Sequence, residues 1–219
     1  MRVCLASTSP ARLALLRQSG IEPLCVSPGV DEDAVAAAEA RRLGRALSPE
    51  ELVLLLGRAK AADVAARIPE LHPGFEGVVI GGDSMFAIDG QVHGKPYEPE
   101  RAIARWQAMR GRTGVLHSGH SVFLVRPGQP AQEVHAVAEA AVTFAADVDD
   151  VEIAAYVATG EPLLVAGAFT VDSLGGAFIE RVEGDPSTVV GMSLSTLRHL
   201  IGDLGIRWTD LWNITPGTS

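Results

Sequence analysis

The sequence predicts an α/β fold built on a mixed β-sheet. Three observations predict it. Short apolar strands alternate with helices early in the chain, and two β-hairpins dominate its middle. The third is composition: 219 residues that are 47% hydrophobic hold enough apolar material for a full core. A mean hydropathy of +0.20 excludes a disordered chain. This length suits a single domain over 1–219, or two closely joined lobes.

The elements follow in order. A strand over Arg2 to Ala6 turns through Ser7, Thr8 and Ser9 into a helix opening at Pro10. Proline suits the first helical position, where its missing N–H would lack a partner anyway, and serine is a capping type. Ile21 to Ser27 reads as a second strand, followed by the acidic turn Val30 to Asp33 and an alanine- and arginine-rich stretch. Ser48, Pro49, Glu50 and Glu51 form the N-cap, proline and acidic first turn of a helix that runs to about Ile68 and contains Lys60. Gly77 to Phe86 and Gln91 to His93 read as a hairpin about the Asp89-Gly90 turn. Glu98 to Met109 is helical, and Gly114 to Ala145 forms a second hairpin around Arg126 to Pro130. Asp149 and Asp150 cap a helix over Glu152 to Thr159 that stops at Gly160. Ala166 to Val182 reads as a glycine-rich strand region, and Ser193 to Leu204 as the last clear helix. The Gly/Pro/Thr-rich end, roughly 210–219, is expected to fray.

Charge narrows the function classes. A net charge of −9 and a pI near 5.1 argue against a nucleic-acid or acidic-membrane surface, which needs a broad basic field. No apolar run approaches the length of a membrane span, and the N-terminal apolar stretch is too short for a signal-peptide core, so a cytoplasmic chain is expected. Cys4 and Cys25 lie in apolar, strand-like contexts and read as core residues.

Phosphate chemistry is written into the first turn. Backbone N–H groups, the hydroxyls of Ser7 and Ser9 and the positive end of a helix dipole converge there, with Arg12 one turn away. A capped helix that binds nothing reads the same way from this stretch alone. Of the 18 basic residues only Lys60 and Lys95 are lysines. A compact ammonium fits beside a phosphate where a planar guanidinium does not, although two ordinary surface lysines give the same count. Asp83 follows Gly81-Gly82 at the end of an apolar strand, where α/β sheets place reactive groups. Such a carboxylate binds a divalent cation or takes a proton from water, or it merely caps a turn. Asp31 and Glu32, read as part of the loop after the second strand, offer further oxygen ligands. No GxxxxGKS/T loop, GxSxG elbow or HExxH helix is present, and His117 and His120 read as a polar turn or strand edge.

LASTSPARLALL, VDE, the helix with Lys60, GGDS, GKP, AGAF with LGGAF, and GDPSTVVGMSL occur in this order from about Val3 to Leu200. Together they resemble the Maf family of nucleoside triphosphate pyrophosphatases. The resemblance implies an elongated fold similar to inosine-triphosphate pyrophosphatases, with a central cleft between two lobes, often as a homodimer. It implies hydrolysis of a nucleoside triphosphate to the monophosphate and pyrophosphate with Mg²⁺ or Mn²⁺, and a link to septum formation and division arrest. By position, Asp83 resembles the proton acceptor and shares the metal with Glu32. Ser7, Ser9, Arg12, Lys60 and Lys95 match the residues that hold the triphosphate, Lys95 acting on the departing pyrophosphate. Three positions depart from the pattern where the base is read in relatives. Ala11 replaces an Arg or Trp, Ser84 replaces a Thr, and Asp172 replaces a Gln. A carboxylate at 172 only accepts hydrogen bonds, so a donor-bearing base edge is one expectation and broad specificity another. The rival reading is a nucleotide-sensing or partner-binding regulator of septum formation with little catalysis.

Overall fold

A computed structural model describes residues 1–213 of the chain. Its elements alternate as the sequence predicts for a mixed α/β protein. In order they are β1 (Arg2–Ala6), α1 (Pro10–Gln18), β2 (Leu24–Cys25), α2 (Glu32–Leu43), α3 (Pro49–Leu71), β3 (Gly77–Ile88), β4 (Gln91–His93) and α4 (Pro99–Met109). Then come β5 (Thr113–Val125), β6 (Gln132–Phe144), α5 (Asp150–Ala158), β7 (Ile179–Gly184), α6 (Pro186–Val190) and α7 (Leu194–Asp203). Hydrogen-bonded strands follow the order β2-β1-β3-β5-β6-β7, with β4 against β3. The chain divides into two compact units: Met1–Asp83, Ser118–Ala138 and Gly191 onward form the first, and Ser84–His117 with Glu139–Val190 the second.

In the first unit β1 runs parallel to both β2 and β3, Cys4 facing Leu24 on one side and Val79 on the other. Cys4, Ala6, Val64, Ile68, Phe75 and Val79 pack between this parallel set and α3. Helix α3 starts at a capping box. The Ser48 hydroxyl accepts from the Glu51 N–H at 3.3 Å, and the Glu51 carboxylate accepts from the Ser48 N–H at 2.9 Å. Glycines let this helix approach the strands closely. A Cβ on Gly81 would lie 2.6 Å from the Gly57 carbonyl oxygen, and one on Gly119 would lie 2.2 Å from that of Val53.

The second unit is organised around aromatic rings. Phe86, Trp106, Phe144 and Phe169 are buried and meet edge to face, with centroids 5.0 Å apart for Phe86–Phe169 and 5.4 Å for Trp106–Phe144. The Trp106 indole N–H donates to the Ala168 carbonyl at 2.7 Å, so the largest buried side chain is also paired. Strand β4 returns antiparallel on β3 about Asp89-Gly90, and β7 pairs antiparallel with β6.

Several expectations are corrected. The second strand shrinks from Ile21–Ser27 to Leu24–Cys25, because Pro23 has no N–H to donate and β2 stands at the end of the strand order. On that edge Cys25 is exposed, not core, whereas Cys4 is buried as expected. The acidic turn is the start of α2: Asp31 is its N-cap, accepting from the Ala34 N–H at 2.9 Å, and Glu32 is its first residue. Ala166–Val182 is not strand over most of its length. It holds 3-10 turns at Ala166–Ala168 and Leu174–Phe178, and β7 begins only at Ile179. His117 and His120 lie inside β5 and are buried, not at a turn or edge. Near the C-terminus Trp208–Leu211 closes a 3-10 turn, and the Asn213 side chain pairs with the Glu22 backbone at 2.7 and 2.9 Å. Of the stretch expected to fray, 214–219 lie outside the described residues.

Candidate functional site

The site is assembled where the parallel β1–β3 ladder stops, at the C-terminal end of β1 and midway along β3, so Asp83 lies inside its strand and not at the strand end expected of it. Ala6 lies opposite Gly81 in that ladder, so the Ser7–Ser9 turn after β1 and Asp83, two residues past Gly81, emerge at the same end. Ser9 caps α1, its hydroxyl accepting from the Arg12 N–H at 3.4 Å. The Ser7 hydroxyl accepts from the Ser9 N–H at 3.1 Å and from the Arg12 guanidinium at 3.3 Å. Arg12 is buried, and its Nε donates to the Gly191 carbonyl at 2.8 Å, which ties α1 to the loop before α7. Burial pulls the Arg12 pKa below its ordinary value, against the upward pull of Asp83 and Glu32.

Lys60 is the hub of the charges. Its ammonium donates to Asp83 Oδ1 at 2.7 Å and lies 2.8 Å from Glu32 Oε1. Lysine and aspartate are both nearly buried, with side-chain exposures of 10% and 12%, while Glu32 is half exposed. Burial raises the Asp83 pKa, and the neighbouring Lys60 and Arg12 only partly offset the rise. The close approach of α3 to β3, permitted by Gly57 and Gly81, brings Lys60 to Asp83. Glu32 comes from the first turn of α2, whose axis is packed on α3.

The donor chemistry fits a hard divalent cation. Two carboxylates, Glu32 and Asp83, already converge on one positive charge, and carboxylate oxygens suit Mg²⁺ and Mn²⁺. Asp31, the acidic residue before Glu32, caps α2, with its Oδ1 accepting from the Ala34 N–H.

Ser7, Ser9, Arg12, Glu32, Lys60 and Asp83 therefore gather in the first unit, with Ala11 in the first turn of α1. Lys95, Ser84 and Asp172 belong to the second unit. Ser84 directly follows Asp83 in β3, Lys95 lies in the segment after β4, and Asp172 is exposed between two 3-10 turns. Next to Lys95, the Gly94 carbonyl accepts from the Arg105 guanidinium at 2.5 Å.

Sequence reasoning missed two features. His120 accepts the Ser193 N–H at its Nε2 at 2.9 Å, fixing the start of α7; this pairing joins residues far apart in sequence and leaves no local signal. Glu161 gathers Tyr156, Thr170, Ser173 and the N–H groups of Leu174 and Gly175 around one carboxylate. The Gly160-Glu161-Pro162 turn was legible there only as a helix stop.

The family model for Maf-like proteins matches residues 2–204. A protein of Leifsonia xyli subsp. xyli, named nucleoside triphosphate pyrophosphatase, is 62% identical over 97% of this chain and 97% of its own. One of Salinispora tropica with the same name is 51% identical over 100% of this chain and 93% of its own. Among solved structures, the Ham1 protein of Staphylococcus aureus overlaps at a TM-score of 0.31 with 9% identity, over 67% of this chain and 73% of that one. With a family model spanning nearly its whole length and relatives this similar end to end, the chain belongs to the Maf family.

Proposed function

We propose that this chain is a nucleoside triphosphate pyrophosphatase that cleaves its substrate to the monophosphate and pyrophosphate. One observation carries the reading: a buried Asp83–Lys60 pair joined by Glu32 stands where the parallel β1–β3 ladder stops, the end of β1 that leads into the capped N-terminus of α1 and Arg12. Its relatives in Leifsonia xyli and Salinispora tropica, both named nucleoside triphosphate pyrophosphatase, support the same activity.

The division of labour follows from the chemistry of each group. The Ser7–Ser9 turn, the first N–H groups of α1, Arg12 and Lys60 supply donors and positive charge for phosphate oxygens. Glu32 and Asp83 would hold a divalent cation, which supplies charge neutralisation of the phosphates when bound. Asp83 accepts the proton of the attacking water. Burial raises its pKa, which makes its carboxylate a stronger base than an exposed one. Lys95 stabilises the departing pyrophosphate, and Ala11, Ser84 and Asp172 act on the choice of base.

The experiment is a panel of standard and modified nucleoside triphosphates with Mg²⁺ or Mn²⁺, read by release of pyrophosphate and monophosphate, with Asp83→Asn and a chelator as controls. Both products should appear and both controls should abolish them. Tight nucleotide binding without turnover across the panel overturns the enzyme and leaves a nucleotide-sensing regulator of septum formation in its place.

A further inference from the structure

Helix α2, which carries Glu32 as its first residue, has no fully buried residue. It packs on α3 through half-buried residues such as Val35, Ala36 and Leu43, and the Glu32 side chain is itself 50% exposed. Yet Glu32 meets the buried Lys60 at 2.8 Å. A polar hold on the segment that delivers it adds to that packing.

That hold is visible one turn beyond Lys60 on α3. Asp63 Oδ2 accepts the backbone N–H of Gly29 at 2.9 Å, and Arg67 donates to the Ser27 carbonyl at 3.0 Å. Asp63 and Arg67 also pair with each other across one helical turn, Nε to Oδ1 at 3.3 Å. The turn between β2 and α2 is thus gripped through one donor and one acceptor by two side chains that brace each other. Lys60, Asp63 and Arg67 share a single rigid helix, so α3 sets both the ammonium and the stem from which Glu32 reaches it.

We infer that Asp63 and Arg67 are positioning residues for Glu32, clasping the Ser27–Gly29 turn so that the Glu32 carboxylate stays in register with Lys60 and Asp83. The inference rests on the proposal that Glu32 and Asp83 hold a divalent cation. Groups that orient a metal-binding carboxylate typically change metal affinity about 10-fold to 100-fold when removed.

The test is calorimetric titration of Mn²⁺ into the whole chain, with a nucleoside triphosphate analogue carrying methylene between its α and β phosphates. Asp63→Ala and Arg67→Met should each weaken Mn²⁺ binding by about tenfold. In turnover they should raise the Mn²⁺ needed for half-maximal rate more than they lower kcat. Asp63→Asn keeps an acceptor for the Gly29 N–H and should recover most of the loss. Arg58→Ala removes another ion pair of the same helix, with Glu133, and should leave Mn²⁺ binding unchanged. In a Glu32→Gln background Asp63→Ala should add no further loss, because it acts through Glu32. Native Mn²⁺ affinity in both Asp63→Ala and Arg67→Met, or a further full loss in the Glu32→Gln background, overturns the inference while leaving the metal site intact. If the unaltered chain binds no Mn²⁺, the metal reading falls and the inference with it.

Discussion

Asp83 shows how a single residue makes a site within a strand, just past the point where its parallel pairing stops. Its folded pKa is raised, first by burial, with Lys60 and Arg12 opposing. A carboxyl raised on folding contributes stability that is fully present below its unfolded pKa and lost as pH rises through the folded one. The ionised form that chemistry needs is therefore the form the fold favours less. In the metal-free chain the Asp83 carboxyl should titrate above the ordinary carboxylate range, read by carboxyl NMR, and Asp83→Asn should abolish turnover without lowering the unfolding midpoint at neutral pH. A metal-free titration in the ordinary range would show that burial does not govern Asp83. Lys60 is the counterweight. Lys60→Met leaves the buried Asp83 without its nearest cation and should cost about 3 kcal/mol at neutral pH in denaturant unfolding. That cost should shrink on acidification as Asp83 takes up a proton, and a cost independent of pH would assign it to packing alone.

At the level of elements, glycine contacts and caps decide how helices meet strands. A Cβ at Gly81 would lie 2.6 Å from the Gly57 carbonyl oxygen and 2.7 Å from Ala61 Cβ, so Gly81→Ala must push α3 away from β3. Overpacking of this kind costs about 1–3 kcal/mol. Because the displaced helix carries Lys60, turnover should fall by more than the lost stability explains; measuring kcat well below the melting point separates the two. The Glu161 turn offers a second case. Burial alone would raise its carboxyl, but hydrogen bonds from Thr170, Ser173, Gly175 and Tyr156 bring it from 4.5 down to about 2. Its contribution is thus present above the ordinary value and is lost as pH falls through about 2. Glu161→Gln should lower stability at neutral pH and bring variant and native chain together in strong acid, with denaturant midpoints against pH as the check. Elements with capping signals were legible: Ser9, Ser48, Asp149 and Ser193 each cap the helix expected of them. Helix α2 was not, although Asp31 and a left-handed Gly44 bracket it, because its alanines and arginines show no apolar stripe. The segment 166–178 was misread because 3-10 turns have neither a two-residue nor a 3.6-residue period.

For the whole molecule the governing fact is a net charge of −9 in a chain proposed to bind a polyanion. Residue types alone marked Ser7, Ser9, Arg12, Glu32, Lys60 and Asp83, because phosphate and metal chemistry restricts them to few kinds. Their pairing was not legible, because Lys60 reaches Asp83 only through the β1–β3 register and the glycine contacts of α3, which bring together distant parts of the chain. The same locality predicts how the protein treats other phosphates. The buried Arg12 and Lys60 stand beside Asp83 and Glu32, while surface arginines such as Arg17, Arg42, Arg45 and Arg58 are matched by neighbouring glutamates. Arginines paired in this way make a poor track for a nucleic-acid backbone. Proteins held by 6–10 backbone contacts lose roughly 10³-fold or more in affinity between about 50 and 200 mM salt. Here the KM for a nucleoside triphosphate should change far less over that range, because buried charges are screened weakly. Duplex DNA added in excess should leave turnover unchanged, whereas inhibition by DNA that salt relieves steeply would show that the arginines form a field the ion pairs do not cancel.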